Sequence, residues 1–188
     1  MFLSGATLKD TIENCVQDYQ EDHLGQVSYD LRVQEIIDPF TRKQYDRYDL
    51  RPGETVFIGS QEIVTIPNDC VGMIHLRNSV IRMGVSYESP VYQPGHQTRI
   101  FTRIKNESPY VVSIKQGDSM VSFMLEKLDQ EAASYQGVYQ DQFTFTDQKK
   151  KAHIKTPKVM KIYTYLQYGT LLALTSLSLA LLMKNKND

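Results

Sequence analysis

The sequence predicts a mainly β domain of jelly-roll or distorted-barrel type, with one short N-terminal helix and one apolar helix at the C-terminus. Three observations predict it. Short apolar–polar alternations recur through residues 29–125. Clusters of Pro, Gly, Asn and Asp separate them at close intervals, the pattern of a sandwich or barrel. Ile162–Met183 then runs without a charged residue.

The elements follow in order. Thr7–Tyr19 reads as a helix, because Leu8, Ile12, Cys15 and Val16 share one face at helical spacing. Strands are expected at Tyr29–Val33, Thr55–Ile58, Glu62–Ile66, Val71–Leu76, Thr98–Ile104, Val111–Ile114 and Ser119–Leu125. Turns are expected at Arg51-Pro52-Gly53, Pro67-Asn68-Asp69, Gln93-Pro94-Gly95, Asn106–Pro109 and Gln116-Gly117-Asp118. The domain is expected to occupy 1–145, with a basic linker over 146–161, a transmembrane helix over 162–183 and a short tail over 184–188. Thr156-Pro157 interrupts any continuous helix between body and tail.

The chain has 188 residues and a formal net charge of −1, which conceals an asymmetry. Residues 148–188 hold eight lysines and one acid, whereas 1–147 hold 13 basic and 21 acidic residues. An acidic body argues against broad nucleic-acid binding, which needs clustered Lys and Arg. Lysines beside an apolar run point instead to a membrane surface. At about 1.5 Å per residue, 162–183 would span roughly 33 Å as a helix, near the thickness of a bilayer's hydrocarbon core. Tyr163, Tyr165 and Tyr168 cluster at one end, as aromatic rings do at headgroup level. Six lysines precede the run and two follow it, which by the positive-inside rule keeps the β domain in the cytoplasm. The plainer alternative is a buried helix, but such a helix usually carries a polar stripe. Cys15 and Cys70, the only cysteines, are expected to be reduced and buried. The four histidines, His23, His75, His96 and His153, show no metal-ligand spacing.

Motifs extend the reading. LSGATLKDTI opens the chain and VSYDLRV follows. LRPGETVFIGSQEIVTIPNDCVGMIHLRNSVIRMGV leads into an arginine-rich segment. VYQPGHQTRIFTRIKN and IKQGDSMVSFMLEKL come next, and SYQGVYQ closes the series. In this order, over about residues 1–142, these segments resemble the dCTP deaminase/dUTPase superfamily, most closely the dCTP deaminases.

The resemblance implies a homotrimer with sites shared between subunits, a bound deoxynucleoside triphosphate, and Mg²⁺ on its phosphates. In the family's R-S-S-x-x-R-x-G segment this chain has Arg77, Asn78, Ser79, Arg82 and Gly84. Arginine forks and a hydroxyl suit phosphate oxygens. Tyr135 and Gln136 match the closing Y-Q pair, and Asp30 matches an aspartate that holds Mg²⁺ through water in dUTPases. The base positions differ. Counting back from Asn106 in the E-x-x-N pattern gives Arg103, which stays protonated and has no acceptor. The aspartate of the hairpin is Gln93, whose amide cannot take a proton. His96 replaces the hairpin's aromatic and Thr98 its second glycine.

The expectation is therefore a degenerate, membrane-anchored member that binds a nucleotide, as a sensor or regulatory or defence effector. Two alternatives stand beside it: an active dCTP deaminase or dUTP diphosphatase with a rearranged site, and a structural trimeric anchor with a vestigial pocket. A relocated base at Glu88 would require a shift of several residues. Arg77 and Arg82 as surface arginines, Arg103 as a solvated strand residue and Tyr135 as ordinary packing are the plainer readings of those positions.

Overall fold

Alternation in the sequence becomes a sheet wrapped almost into a barrel. The computed structural model describes residues 1–145. The basic linker 146–161, the apolar run 162–183 and the tail 184–188 lie outside the described residues. Among the described residues no helix is long and apolar enough to cross a membrane.

Helix α1 spans Gly5–Cys15 and buries Leu8, Ile12 and Cys15 on one face. It ends four residues earlier than the spacing predicts. Val16 is extended and bridges Val64, and the Gln17 amide donates to the Ile63 carbonyl at 2.9 Å. The chain there joins the sheet instead of adding a helical turn.

The strands are β1 (Tyr29–Ile37), β2 (Gln44–Tyr45), β3 (Arg47–Leu50), β4 (Thr55–Thr65), β5 (Cys70–Leu76), β6 (Val85–Glu88), β7 (Gln97–Asn106), β8 (Val112–Lys115) and β9 (Ser119–Lys127). A single helical turn and a half, α2 (Asn78–Arg82), separates β5 from β6. The main sheet is antiparallel in the order β5-β9-β1-β4-β7-β6, with β2 added to β1; β3 and β8 form a separate pair. Its two edges approach each other. Gly72 and Tyr92 exchange backbone hydrogen bonds of 2.9 Å, and His75 Nδ1 on β5 lies 2.9 Å from the Tyr87 hydroxyl on β6. Near-closure leaves little unpaired edge, the usual hazard of open sheets.

Two expected strands, Thr55–Ile58 and Glu62–Ile66, are one continuous β4 with an irregularity against β7 between Gly59 and Ile63. The irregularity is held by Ser60, whose hydroxyl donates to the Glu62 carbonyl at 2.7 Å and accepts from the Ile100 amide at 3.0 Å. A side chain at position 59 would meet Glu35 and Phe101 at 2.8 Å, so the bend requires glycine.

The core is one cluster drawn from α1 and most strands, with Tyr29, Leu31, Ile36, Leu50, Ile104 and Phe123 at its centre. Burying each such side chain contributes about 1.5–3 kcal/mol. One ion pair is enclosed with it. Glu62 is fully buried and accepts from Arg32 Nε at 2.6 Å and from the Arg32 amide at 2.9 Å.

Candidate functional site

Strand register assembles the first group. Asp30 on β1 pairs with Ser122 on β9, which pairs with His75 on β5. The Ser122 hydroxyl donates to Asp30 Oδ1 at 2.6 Å, and Arg77 Nε lies 2.9 Å from Asp30 Oδ2. Arg77 stands where β5 ends and α2 begins, half exposed; Asn78, Ser79 and Arg82 are exposed on α2. Arg82 makes no ion pair among the described residues. These donors thus face solvent together, anchored through Arg77. Arg32, two residues from Asp30 on the same strand, is turned to Glu62 and to the Asp18 carbonyl at 2.8 Å. It is a structural residue. Sequence reading missed Ser122, His75 and Tyr87 as neighbours of this group; no motif marks them, register places Ser122 beside Asp30 and His75 beside Ser122, and Tyr87 joins through its hydroxyl, 2.9 Å from His75 Nδ1.

The second group surrounds the Gln93-Pro94-Gly95 hairpin. A cleft of ≈ 340 Å³ opens there, walled by Phe57, Tyr92, Phe101, Tyr135 and Phe145 and edged by Gln93. Gly95 has a positive φ of 70°, and a Cβ there would collide with Ser134. The His96 ring lies between Tyr92 at 5.9 Å and Tyr135 at 4.3 Å, and its Nε2 is 2.8 Å from the Tyr139 carbonyl. Burial pushes the His96 pKa below its ordinary value, so the neutral ring donates to that carbonyl. Thr98, in place of a glycine, donates its hydroxyl to the Gln142 carbonyl at 3.0 Å. The segment after β9 returns over the hairpin and the start of β7: the Tyr135 amide donates to the Pro94 carbonyl at 2.8 Å, Arg99 Nε donates to the Phe143 carbonyl at 2.8 Å, and Phe145 packs on Phe57 at 4.7 Å. Tyr135 is therefore both packed and cleft-lining, and Gln136 is exposed beside it.

Arg103 belongs to a third place. Ile37, Phe57, Arg103 and Glu88 form one row across β1, β4, β7 and β6. Arg103 Nη2 and Glu88 Oε1 make an ion pair across the last pairing. The two side chains line a groove that shares Phe57, Pro90 and Phe101 with the hairpin cleft. The shift of several residues that told against Glu88 in the sequence is no distance in the sheet, because Glu88 is the direct partner of Arg103. Asn106, the other end of that motif, is fully buried. Its amide donates to the Leu50 carbonyl at 2.9 Å and the Tyr110 carbonyl at 2.6 Å, while its oxygen accepts from the Ser108 amide at 2.9 Å. It holds the β7–β8 turn.

Within one chain Gln93 and Tyr135 share the cleft and Arg103 stands in the adjoining groove, whereas Arg77, Asn78, Ser79 and Arg82 line neither. Among the described residues no three His, Cys, Asp or Glu side chains converge as metal ligands. Asp30 has one oxygen on Ser122 and the other on a guanidinium, an arrangement that does not fit a divalent cation in the single chain. Cys15 and Cys70 are free and buried; burial pushes their thiols up to about 12 and about 11, far from a reactive thiolate.

A family model described as dCTP deaminase-like matches residues 35–128, half of the chain. The dCTP deaminases of Pyrobaculum islandicum and Pyrobaculum calidifontis are each 31% identical over 104 residues, 55% of this chain and 58% of theirs. The match thus spans less than two thirds of those relatives. A crystal structure of 2'-deoxycytidine 5'-triphosphate deaminase from Agrobacterium tumefaciens superposes with a TM-score of 0.56 at 13% identity, covering 66% of this chain and 47% of that one. That likeness is one of fold. The fold, the ordered motifs and the family match agree: this chain belongs to the dCTP deaminase-like family.

Proposed function

We propose that residues 1–145 bind a nucleotide without converting it through the family's usual proton-transferring groups, and that 162–183 hold the chain at a membrane with the domain in the cytoplasm. The chain then acts as a nucleotide sensor or as a regulatory or defence effector. One observation carries this reading: the position expected to hold a base is a guanidinium, Arg103, tied to Glu88, while Arg77, Asn78, Ser79 and Arg82 present donors to solvent. A protonated guanidinium cannot accept a proton from water, yet donors for phosphate remain.

The separation of the Arg77 group from the hairpin cleft supports the trimer that the resemblance implies. In such an assembly one protomer's Arg77, Asn78, Ser79 and Arg82 would complete the cleft of its neighbour. Both Asp30 oxygens are engaged by Ser122 and Arg77, so this reading assigns Asp30 to holding Arg77 in place and gives it no step through Mg²⁺. The test is calorimetry of the full chain in detergent against a panel of deoxy- and ribonucleotides, linear and cyclic. Saturable binding that weakens in Arg77→Ala supports the reading. Silence across the panel overturns it in favour of a structural anchor.

One observation favours a second reading, an active dCTP deaminase or dUTP diphosphatase. Glu88 brings a carboxylate to the same row of the sheet, one strand from the expected position. Product analysis with dCTP and dUTP plus Mg²⁺ decides between them. Turnover abolished by Glu88→Gln would make Glu88 the base.

A further inference from the structure

Phe40, at the tip of the β1–β2 hairpin, is 90% exposed, the most exposed large apolar side chain among the described residues. The turn that presents it is built, not loose. Asp38 Oδ1 accepts from the Phe40 amide at 2.8 Å and the Thr41 amide at 2.7 Å, and the Arg42 amide donates to the Asp38 carbonyl at 3.0 Å. These amides hold the Asp38 carboxyl below its ordinary pKa. Arg42 is in the left-handed region at φ 62°, a conformation that costs a non-glycine residue energy. A tip stapled in this way holds the aromatic ring in water, and the cations Arg42 and Lys43 follow it in the same turn, over the Phe145 and Tyr45 rings.

The last described residue lies at the same place. Phe145, the last described residue, lies under the Arg42 guanidinium at 4.8 Å. It also packs on Phe57, whose strand partner is Ile37 at the root of the hairpin. Beyond Phe145 come 146–161, with six lysines, and then the apolar run. The β7–β8 turn stands at this end too, because β7 runs parallel to β1 on the far side of β4. Its Tyr110 is 76% and its Val111 57% exposed.

Exposed aromatic rings backed by cations suit one partner, the headgroup layer of an anionic bilayer. We infer that the hairpin tip, Phe40 with Arg42 and Lys43, rests on the membrane surface to which 162–183 tether the chain. The inference rests on that anchor. The tip then acts as a second contact that sets the orientation of the domain, turning the exit end towards lipid and leaving the face of Arg77 open to solutes.

The chain contains no tryptophan, so Phe40→Trp introduces a single indole. Val27→Trp is the control. Val27 is 47% exposed and precedes β1, whose nine residues span about 30 Å between the two sites. Each full-length variant is reconstituted into vesicles of zwitterionic and anionic lipid, with or without lipid brominated near the headgroup. The expected result is blue-shifted emission and bromine quenching from position 40, with water-like, unquenched emission from position 27. Co-flotation with vesicles but no quenching at position 40 overturns the hairpin contact and leaves the anchor standing. Equal quenching at both positions also overturns it, because the contact is then unoriented. Failure of either variant to float with lipid removes the anchor and the contact together.

Discussion

The buried pair Arg32–Glu62 decides how the β1 motif is to be understood, and its strength can be worked from geometry. Glu62 is fully buried and Arg32 is 8% exposed. The carboxylate takes Arg32 Nε at 2.6 Å and the Arg32 amide at 2.9 Å, and the guanidinium also reaches the Asp18 carbonyl. Desolvation offsets most of the attraction in such a pair, so its net contribution is small. Breaking it is different, because Glu62→Ala leaves a buried cation with one backbone acceptor. The expected cost is about 3–5 kcal/mol. Glu62→Gln retains one acceptor and falls at the lower end. For a domain of this size, about 2–4 °C per kcal/mol gives a Tm drop of roughly 6–20 °C. The double variant Arg32→Met/Glu62→Leu, apolar and similar in volume, should recover most of that loss. Urea unfolding followed by circular dichroism measures all three, with an unchanged slope confirming that stability alone has moved. A cost below about 1 kcal/mol for Glu62→Ala would refute the argument. So would a fully stable Glu62→Gln that no longer binds nucleotide, since Arg32 would then be a ligand residue.

Arg77→Ala should weaken nucleotide binding about 10- to 100-fold by calorimetry, the loss of one charged hydrogen bond worth about 1.5–3 kcal/mol. Unchanged affinity would remove Arg77 from the site. Glu88→Gln should leave affinity intact and produce no change in dCTP or dUTP turnover, which is expected to be absent in the parent. Because burial lowers the His96 pKa in the folded state, the unfolded chain binds the proton more readily. The sign is then fixed: stability is full above the unfolded value of about 6.5 and declines as pH falls below it. Urea midpoints between pH 7.5 and 5.5 should fall in the parent and stay flatter in His96→Gln. Cys15 and Cys70 should resist a thiol reagent in the native protein and react once urea opens the core.

Much of the fold was legible because burial in a barrel imposes a period of two. Along β7, Thr98, Ile100, Thr102, Ile104 and Asn106 are all buried, and the residues between them are not. The short pieces were not legible. Gln44–Tyr45 and Arg47–Leu50 carry too few apolar residues to show a period, and Val85–Glu88 follows a helix that alternation cannot separate from it. The end of α1 was misjudged because Val16 fits the helical face equally well; a tertiary partner, Val64, decides its conformation.

The candidate site divides along the same line. Arg77, Asp30, Gln93 and Tyr135 are legible as candidates because each falls in a short run of chain that matches a family motif. Glu88 was discounted because distance was counted along the chain, whereas in an antiparallel sheet the neighbour of Arg103 is set by register with β6. A strand pair can exchange which partner carries the carboxylate and which the cation at little cost to itself, since the ion pair survives the swap. An arginine at position 103 opposite Glu88 is therefore not by itself a sign of decay. Decay would give no reason for a carboxylate to stand opposite Arg103, while either a base carried on β6 or a need to neutralise the groove would. The double variant Arg103→Glu/Glu88→Arg separates these. Ammonia release from dCTP in this variant, with none in the parent, would mean that the rest of the pocket is competent and that the side chain at position 103 decides the outcome. No release from either protein, with intact binding, would point to the hairpin as well, where the resemblance leads one to expect residues other than Gln93, His96 and Thr98.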